Sequence, residues 1–154
     1  MNNGELKIRQ ASAADINYIV GFQMSMAQET EGKALDSRVV AEGVRGVLNQ
    51  TDRGQYFLAE YESRVVGSLL ITYEWSDWRN ANFWWIQSVY VDPLTRRKGV
   101  YSAMHNHILD IAKSDSGVCG VRLYVDRENT VAQSAYNRLG LSKSRYDIYE
   151  SAFE

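Results

Sequence analysis

Phe83-Trp84-Trp85-Ile86-Gln87-Ser88-Val89-Tyr90-Val91-Asp92-Pro93-Leu94-Thr95-Arg96-Arg97-Lys98-Gly99-Val100-Tyr101-Ser102 changes character twice along its length. From Phe83 to Val91 it is aromatic and β-branched, the composition of a strand. Pro93, the only proline in the chain, ends that strand because it has no N–H to give to a ladder. Beyond it, Val100, Met104, Ile108 and Ile111 fall at helical spacing in a run that reaches Lys113. Between strand and helix sits a basic loop, Arg96-Arg97-Lys98, closed by Gly99.

Those three parts together suit an anion. The first N–H groups of a helix have no acceptor within it, and its dipole favours negative charge there. Gly99 lets a phosphate approach the backbone without a Cβ in the way. Arg96, Arg97 and Lys98 add fixed positive charge. A solvated basic turn that happens to precede a helix fits the same residues, and on these alone both readings stand.

Val89-Tyr90-Val91-Asp92-Pro93 followed by Arg96-Arg97-Lys98-Gly99-Val100 resembles the acetyl-CoA-binding motif of the GNAT N-acetyltransferases. Arg96 and Gly99 match that motif, whereas Tyr101 stands where the family has a small residue. Tyr101 would either narrow the pyrophosphate loop or add a contact to it. The resemblance covers nearly the whole chain and implies the cofactor acetyl-CoA, held as a cosubstrate. The pyrophosphate would lie along the loop from Arg96 through Arg97, Lys98, Gly99, Val100 and Tyr101 to Ser102. The pantetheine arm would run along the backbone of Val89, Tyr90 and Val91.

Composition sets the outer limits. With 154 residues and 45% hydrophobic content the chain is read as a single domain over 1–154, large enough for a proper core. No apolar run reaches the ~18 residues of a membrane span, and Met1 to Glu5 lack the charge and apolar stretch of a signal peptide. A formal charge of −2 disfavours a general nucleic-acid surface, so any anion site is local. The single Cys119 excludes an internal disulfide and fits a reducing compartment, so a cytoplasmic location is expected. Cys119 alternates with core positions and reads as a buried strand residue. His105 and His107 stand too close together to share a helix face, and no metal is expected.

Elsewhere the pattern is legible in order. Leu6 to Gln10 reads as a strand, and Ser12 with Asp15 as a capping box. Ile16, Ile19, Val20, Met24 and Ala27 mark a helix face, which Glu29-Thr30-Glu31-Gly32-Lys33 breaks. Asp36 or Ser37 caps a second helix. Tyr56 to Tyr61 and Val65 to Tyr73 form a hairpin turning at Glu62-Ser63, and Trp75 to Asn82 connects it to the central strand. Cys119 to Val125 is the next strand, Asn129-Thr130 opens a helix that Gly140 stops, and Arg145 to Tyr149 is a final strand. The order β-α-α-β-β-β-α-β-α-β predicts a mixed α/β sheet flanked by helices. The resemblance implies the same order, with a mostly antiparallel sheet and a gap between two central strands.

Acyl transfer to an amine needs a held thioester, a neutral amine, oxyanion stabilisation and a proton for the departing thiolate. Asn129-Thr130-Val131-Ala132-Gln133-Ser134-Ala135-Tyr136-Asn137-Arg138-Leu139-Gly140-Leu141 resembles the family's second signature. That resemblance implies that Asn129 and Ser134 hold the cofactor and that Tyr136 is the acid beside its sulfur. Leu69 to Trp75 resembles the spermidine/spermine and thialysine branch, whose relatives carry a glutamate where Gln87 stands. Glutamine takes no proton. Water, a carboxylate (Glu29, Glu31, Glu74 or Asp77) or a neutral amine must then serve. Glu74 is the leading carboxylate, and Gln87 would orient the amine or a water.

Glu29 and Glu31, placed in the first helix–helix loop, join Trp75, Trp78, Trp84 and Trp85 as a candidate aromatic and acidic mouth. Such a mouth suits a small cationic amine: a diamine, polyamine or lysine-like amino acid. Core packing or a homodimer interface also accounts for the tryptophans. Direct transfer in a ternary complex is expected, since no activated nucleophile is visible. A non-catalytic CoA-binding sensor and a protein or peptide N-acetyltransferase stand as alternatives.

Overall fold

The computed structural model describes residues 6–153, so the reading of Met1 to Glu5 lies outside it. The chain forms two compact units that divide after Tyr124.

The first unit is a five-stranded sheet in the order β1 (Leu6–Gln10), β2 (Gly54–Tyr61), β3 (Arg64–Ser76), β4 (Ala81–Val91), β5 (Val118–Leu123). Neighbours run antiparallel except β4 and β5, which are parallel. A parallel pair needs a crossover, and α3 (Val100–Ser114) supplies it. Two further helices, α1 (Ile16–Glu31) and α2 (Ser37–Asn49), precede β2.

Strand alternation sorts the core into two layers. On β2, Phe57 and Ala59 join a cluster with Val100, Met104 and Ile108 of α3. Tyr56 and Leu58 join Ile19 of α1 and Val44 of α2 instead. Met104 and Ile108 are fully buried, and each such side chain contributes about 1.5–3 kcal/mol. Arg9 of β1 ties the start of α1 to the sheet. Its two terminal nitrogens each reach an Asp15 carboxylate oxygen at 2.8 Å, and its Nε reaches Glu60 at 2.8 Å. The capping box at Ser12 and Asp15 forms as expected.

Four expectations are corrected. α1 does not break at Glu29. The Thr30 hydroxyl bonds the Met26 carbonyl, the helix runs on, and Gly32 ends it at φ +62°. Glu29 and Glu31 therefore belong to the last turn of α1, not to a loop. The segment Trp75 to Asn82 is mostly strand, since Trp75 pairs with Asn82 and Ser76 with Ala81. β5 stops at Leu123, before Val125, and the Asp126 carboxylate accepts from the Glu128 N–H to begin a turn. Arg145 to Tyr149 is not a strand. The second unit contains α4 (Thr130–Arg138) and no strand among its described residues, so this segment has no ladder partner within its own unit. There Arg127 pairs with Asp147, and Arg145 lies over the Tyr146 ring.

β4 carries an irregularity that sequence gave no sign of. Ser88 sits at φ +50°, and the β3–β4 register slips between Ser68 and Leu70. Upstream, Trp84 and Ile86 pack against α3; downstream, Val89 and Val91 do. Tyr90 thereby turns toward α1, where its ring meets Phe22 at 5.2 Å.

Candidate active site

Past Val91 the chain makes a tight turn. The Asp92 carboxylate accepts from the Leu94 N–H, and its carbonyl from the Thr95 N–H at 2.8 Å. Arg96 is extended, Arg97 has φ +61° and Gly99 has φ +80°, with Lys98 between them at negative φ. Backbone that alternates hand in this way turns successive N–H groups to one side, a concavity that favours anions. Gly99 caps α3, whose first bond runs from the Ala103 N–H to the Gly99 carbonyl. A Cβ built on Gly99 meets nothing within 4 Å, so the space before the loop is open. Arg97 and Lys98 are exposed beside it. Cradle, charge and room fit a diphosphate. The Val100 side chain is buried against the sheet, leaving its backbone N–H for any such contact.

Arg96 is held on three sides. Its Nε donates to the Val91 carbonyl at 2.8 Å, one Nη donates to Glu29 Oε2 at 2.7 Å, and the guanidinium lies 5.3 Å from the Tyr90 ring centroid. Tyr90 Oη donates to Glu29 Oε1 at 3.0 Å. Arg96 and Tyr90 together keep the Glu29 carboxyl below the usual carboxylate range, the Arg96 hydrogen bond being the larger cause. Tyr101 lies back along α3, its hydroxyl 3.1 Å from Nδ1 of His105 one turn on. His105 is fully buried, and burial lowers its pKa.

The β4–β5 ladder ends at Ile86 opposite Leu123, whereas β4 continues to Val91. Along Gln87 to Val91 the edge of β4 away from β3 has no strand partner among the described residues of this unit. On the sheet face shared with Leu70, cross-strand pairing lines up Thr72, Glu74, Phe83, Trp85, Gln87 and Arg122. Gln87 Nε2 donates to Thr72 Oγ1. Glu74 is paired with Arg122, whose guanidinium lies 3.5 Å from the Phe83 ring centroid. Gly120 makes this stack possible, since a Cβ there would sit 2.8 Å from the Phe83 ring. Trp85 stacks on Tyr124 with centroids 4.4 Å apart.

The other candidates scatter. Trp84 is buried in the α3 layer, while Trp75 and Trp78 are 59% and 92% exposed at the hairpin tip. Asp77 caps the Trp78 N–H, and Glu31 pairs loosely with Lys33 at 3.4 Å. Cys119 is half-buried. A groove of about 350 Å³ beside Tyr90, Asp92 and Pro93 is walled by Asn17, Gly21 and Ser25 of α1. Its signal in the sequence was there unused: small and polar residues at i, i+4 and i+8. In the second unit, Asn129 caps α4 by accepting from the Ala132 N–H at 3.0 Å; Ser134 is exposed and Tyr136 half-buried on that helix. Among the described residues no cluster of metal-binding side chains occurs, and no helix is long and apolar enough to cross a membrane.

A family model described as the acetyltransferase (GNAT) family matches residues 23–141. A solved structure of a possible acetyltransferase from Clostridium difficile 630 is 41% identical, with a TM-score of 0.91 over 97% of this chain and 99% of that one. A predicted acetyltransferase from Clostridium acetobutylicum, solved with acetyl-CoA, superposes at TM-score 0.76 with 15% identity over 95% and 96%. An aminoglycoside acetyltransferase from an uncultured soil metagenomic sample, in complex with sisomicin, gives TM-score 0.80 and 18% identity over the whole of both chains. At those two lower identities the likeness is one of fold alone. A search of curated proteins finds no match. With the loop, the sheet order and the family model in agreement, the chain belongs to the GNAT acetyltransferase family.

Proposed function

We propose that this acetyltransferase moves an acetyl group from acetyl-CoA to a primary amine by direct transfer in a ternary complex, and that both units act as one N-acetyltransferase domain. The observation that carries the reading is the loop at Arg97 to Gly99, where alternating backbone hand and the start of α3 aim N–H groups into open space. Acetyl-CoA supplies an acetyl group activated on sulfur. The loop from Arg96 to Ser102 grips its diphosphate, and the edge of β4 at Val89 to Val91, which no described strand pairs beyond Ile86, receives its pantetheine arm.

Tyr136 is the proposed proton donor, with Asn129 and Ser134 as cofactor contacts. A phenol titrates near ~10 and an alkyl thiol near ~8.5, so the phenol keeps its proton at neutral pH. Donation to a thiolate is uphill by about 1.5 pKa units, or ~2 kcal/mol, a small step beside the whole barrier. Gln87 cannot act as base, and its amide nitrogen is engaged by Thr72, so it orients rather than deprotonates.

For the acceptor we favour a small cationic amine, of the diamine, polyamine or lysine-like kind. Glu29, Glu31 and Glu74 each already face a cation, so the Trp85–Tyr124 stack, rather than a surplus of carboxylate, would hold it. A cytoplasmic homodimer fits the lone cysteine and the exposed Trp75 and Trp78. The absent strand carboxylate favours a second reading, a CoA-binding module without turnover.

A thiol-release assay over diamines, polyamines, lysine analogues, aminoglycosides and short peptides separates these readings. Turnover with one of the small amines supports the proposal; CoA binding without turnover across the panel supports the module. Tyr136→Phe should lower the rate on the order of 10²-fold at little cost in CoA affinity, and an unchanged rate removes Tyr136 from the mechanism.

A further inference from the structure

Arg96 is the motif residue expected to meet a diphosphate, yet three contacts from the protein already fix it. Nε and one Nη form one edge of the guanidinium fork, taken by the Val91 carbonyl and the Glu29 carboxylate. The Tyr90 ring lies beneath the plane, and Nη1 is left over. Glu29 comes from the last turn of α1, and its other oxygen accepts from Tyr90 Oη, so the carboxylate is itself held in place. An arginine free in solvent loses about 2 kcal/mol of rotamer entropy when it orders on a ligand. Here that ordering is built into the protein.

We propose that Glu29 is a positioning residue: it holds the Arg96 guanidinium by one edge so that the Nη1 edge faces the diphosphate of the bound thioester. The assignment rests on the cofactor reading above and departs from the sequence-based expectation that Glu29 meets the acceptor amine. A carboxylate bonded to both Arg96 and Tyr90 has little left to offer a substrate cation. It is also a negative charge near an anion site, so its loss has two opposed effects. The positioning effect is the larger, because Glu29 neutralises a charge whose geometry the diphosphate needs, while Arg97 and Lys98 supply charge without such constraint.

The test is Glu29→Gln in the full chain, read by calorimetric titration with CoA and by steady-state kinetics. CoA affinity should fall, and the KM for acetyl-CoA rise, by about three- to fivefold. Both kcat at saturation and the KM for the amine should stay within about twofold. S-acetylpantetheine, which lacks the diphosphate, should bind variant and wild type alike, a distinction that general loosening of α1 would not produce. Tyr90→Phe, which removes one of the carboxylate's two anchors, should weaken CoA in the same direction by a smaller factor. Unchanged or tighter CoA binding by Glu29→Gln overturns the assignment, as does a rise confined to the amine KM. If the wild type itself fails to bind CoA, the cofactor reading falls first, and that outcome is separate from any difference between variants.

Discussion

Replacing Asp15 by asparagine removes one charge from the junction that fastens α1 to the sheet. The Asp15 residue is 4% exposed and takes two guanidinium N–H bonds from Arg9 and one backbone N–H bond from Ser12, all at 2.8 Å. Those bonds, Arg9 first, hold its pKa at about 2 against the ordinary 3.8 of an aspartate. The difference of about 1.8 units, at ~1.36 kcal/mol each, amounts to roughly 2 kcal/mol of stability at neutral pH. The native pKa is the depressed one, so this contribution is complete above about pH 4. It drains away as pH falls through the native value near 2, with about half left at pH 3. Urea unfolding should therefore place Asp15→Asn about 2 kcal/mol below the wild type at pH 7, with a melting temperature about 4–8 °C lower. The gap should shrink toward half at pH 3. Equal stabilities at pH 7, or a gap of constant width down to pH 3, would falsify the charge-based account. Since α1 carries Phe22 and Glu29 to Tyr90, CoA binding near the new melting point should suffer as well.

Three glycine substitutions separate conformation from space. Gly99→Ala meets no clash but must hold φ +80°, at about 1–2 kcal/mol, and tilting the N–H cradle should weaken CoA by about tenfold in calorimetric titration. Unchanged affinity would remove the loop from cofactor binding. Gly120→Ala puts a Cβ 2.8 Å from the Phe83 ring and should displace the Arg122 stack, lowering stability by about 1–3 kcal/mol in chemical denaturation. Gly43→Ala, inside α2 with open space at the Cβ, should raise stability by about 0.5–1 kcal/mol; a loss there would mean that the helix packs differently.

Much of the sheet could be read from the chain because its signals are local. Pro93 ends β4, Glu62 and Ser63 take the two positive φ angles of a hairpin turn, and Val100, Met104 and Ile108 repeat at helical period. The misreadings arise where a partner decides. Arg145 to Tyr149 has strand composition, but a strand exists only beside another, and composition cannot supply one. Glu29 looked like a loop residue because Gly32 follows so soon, yet the backbone stays helical to Glu31, where the Gly32 N–H closes the end on the Ala27 and Gln28 carbonyls. At the site, the cofactor loop announced itself through Arg96 and Gly99. That Arg96 answers to Glu29, 67 residues earlier, has no sequence signature, because it depends on which way Tyr90 turns.

The turn of Tyr90 hangs on Ser88 alone. Inserting one more residue after it would act on β4 as a frameshift acts on a message, leaving every later letter intact but on the wrong side. The tyrosine would be thrust among the aliphatic chains of α3, the flanking valines would face α1, and the edge that awaits the pantetheine arm would present its amides out of phase. A protein so edited would keep its whole motif in spelling and lose the strap on Arg96, so the spacing before the loop carries information that the loop's own residues do not.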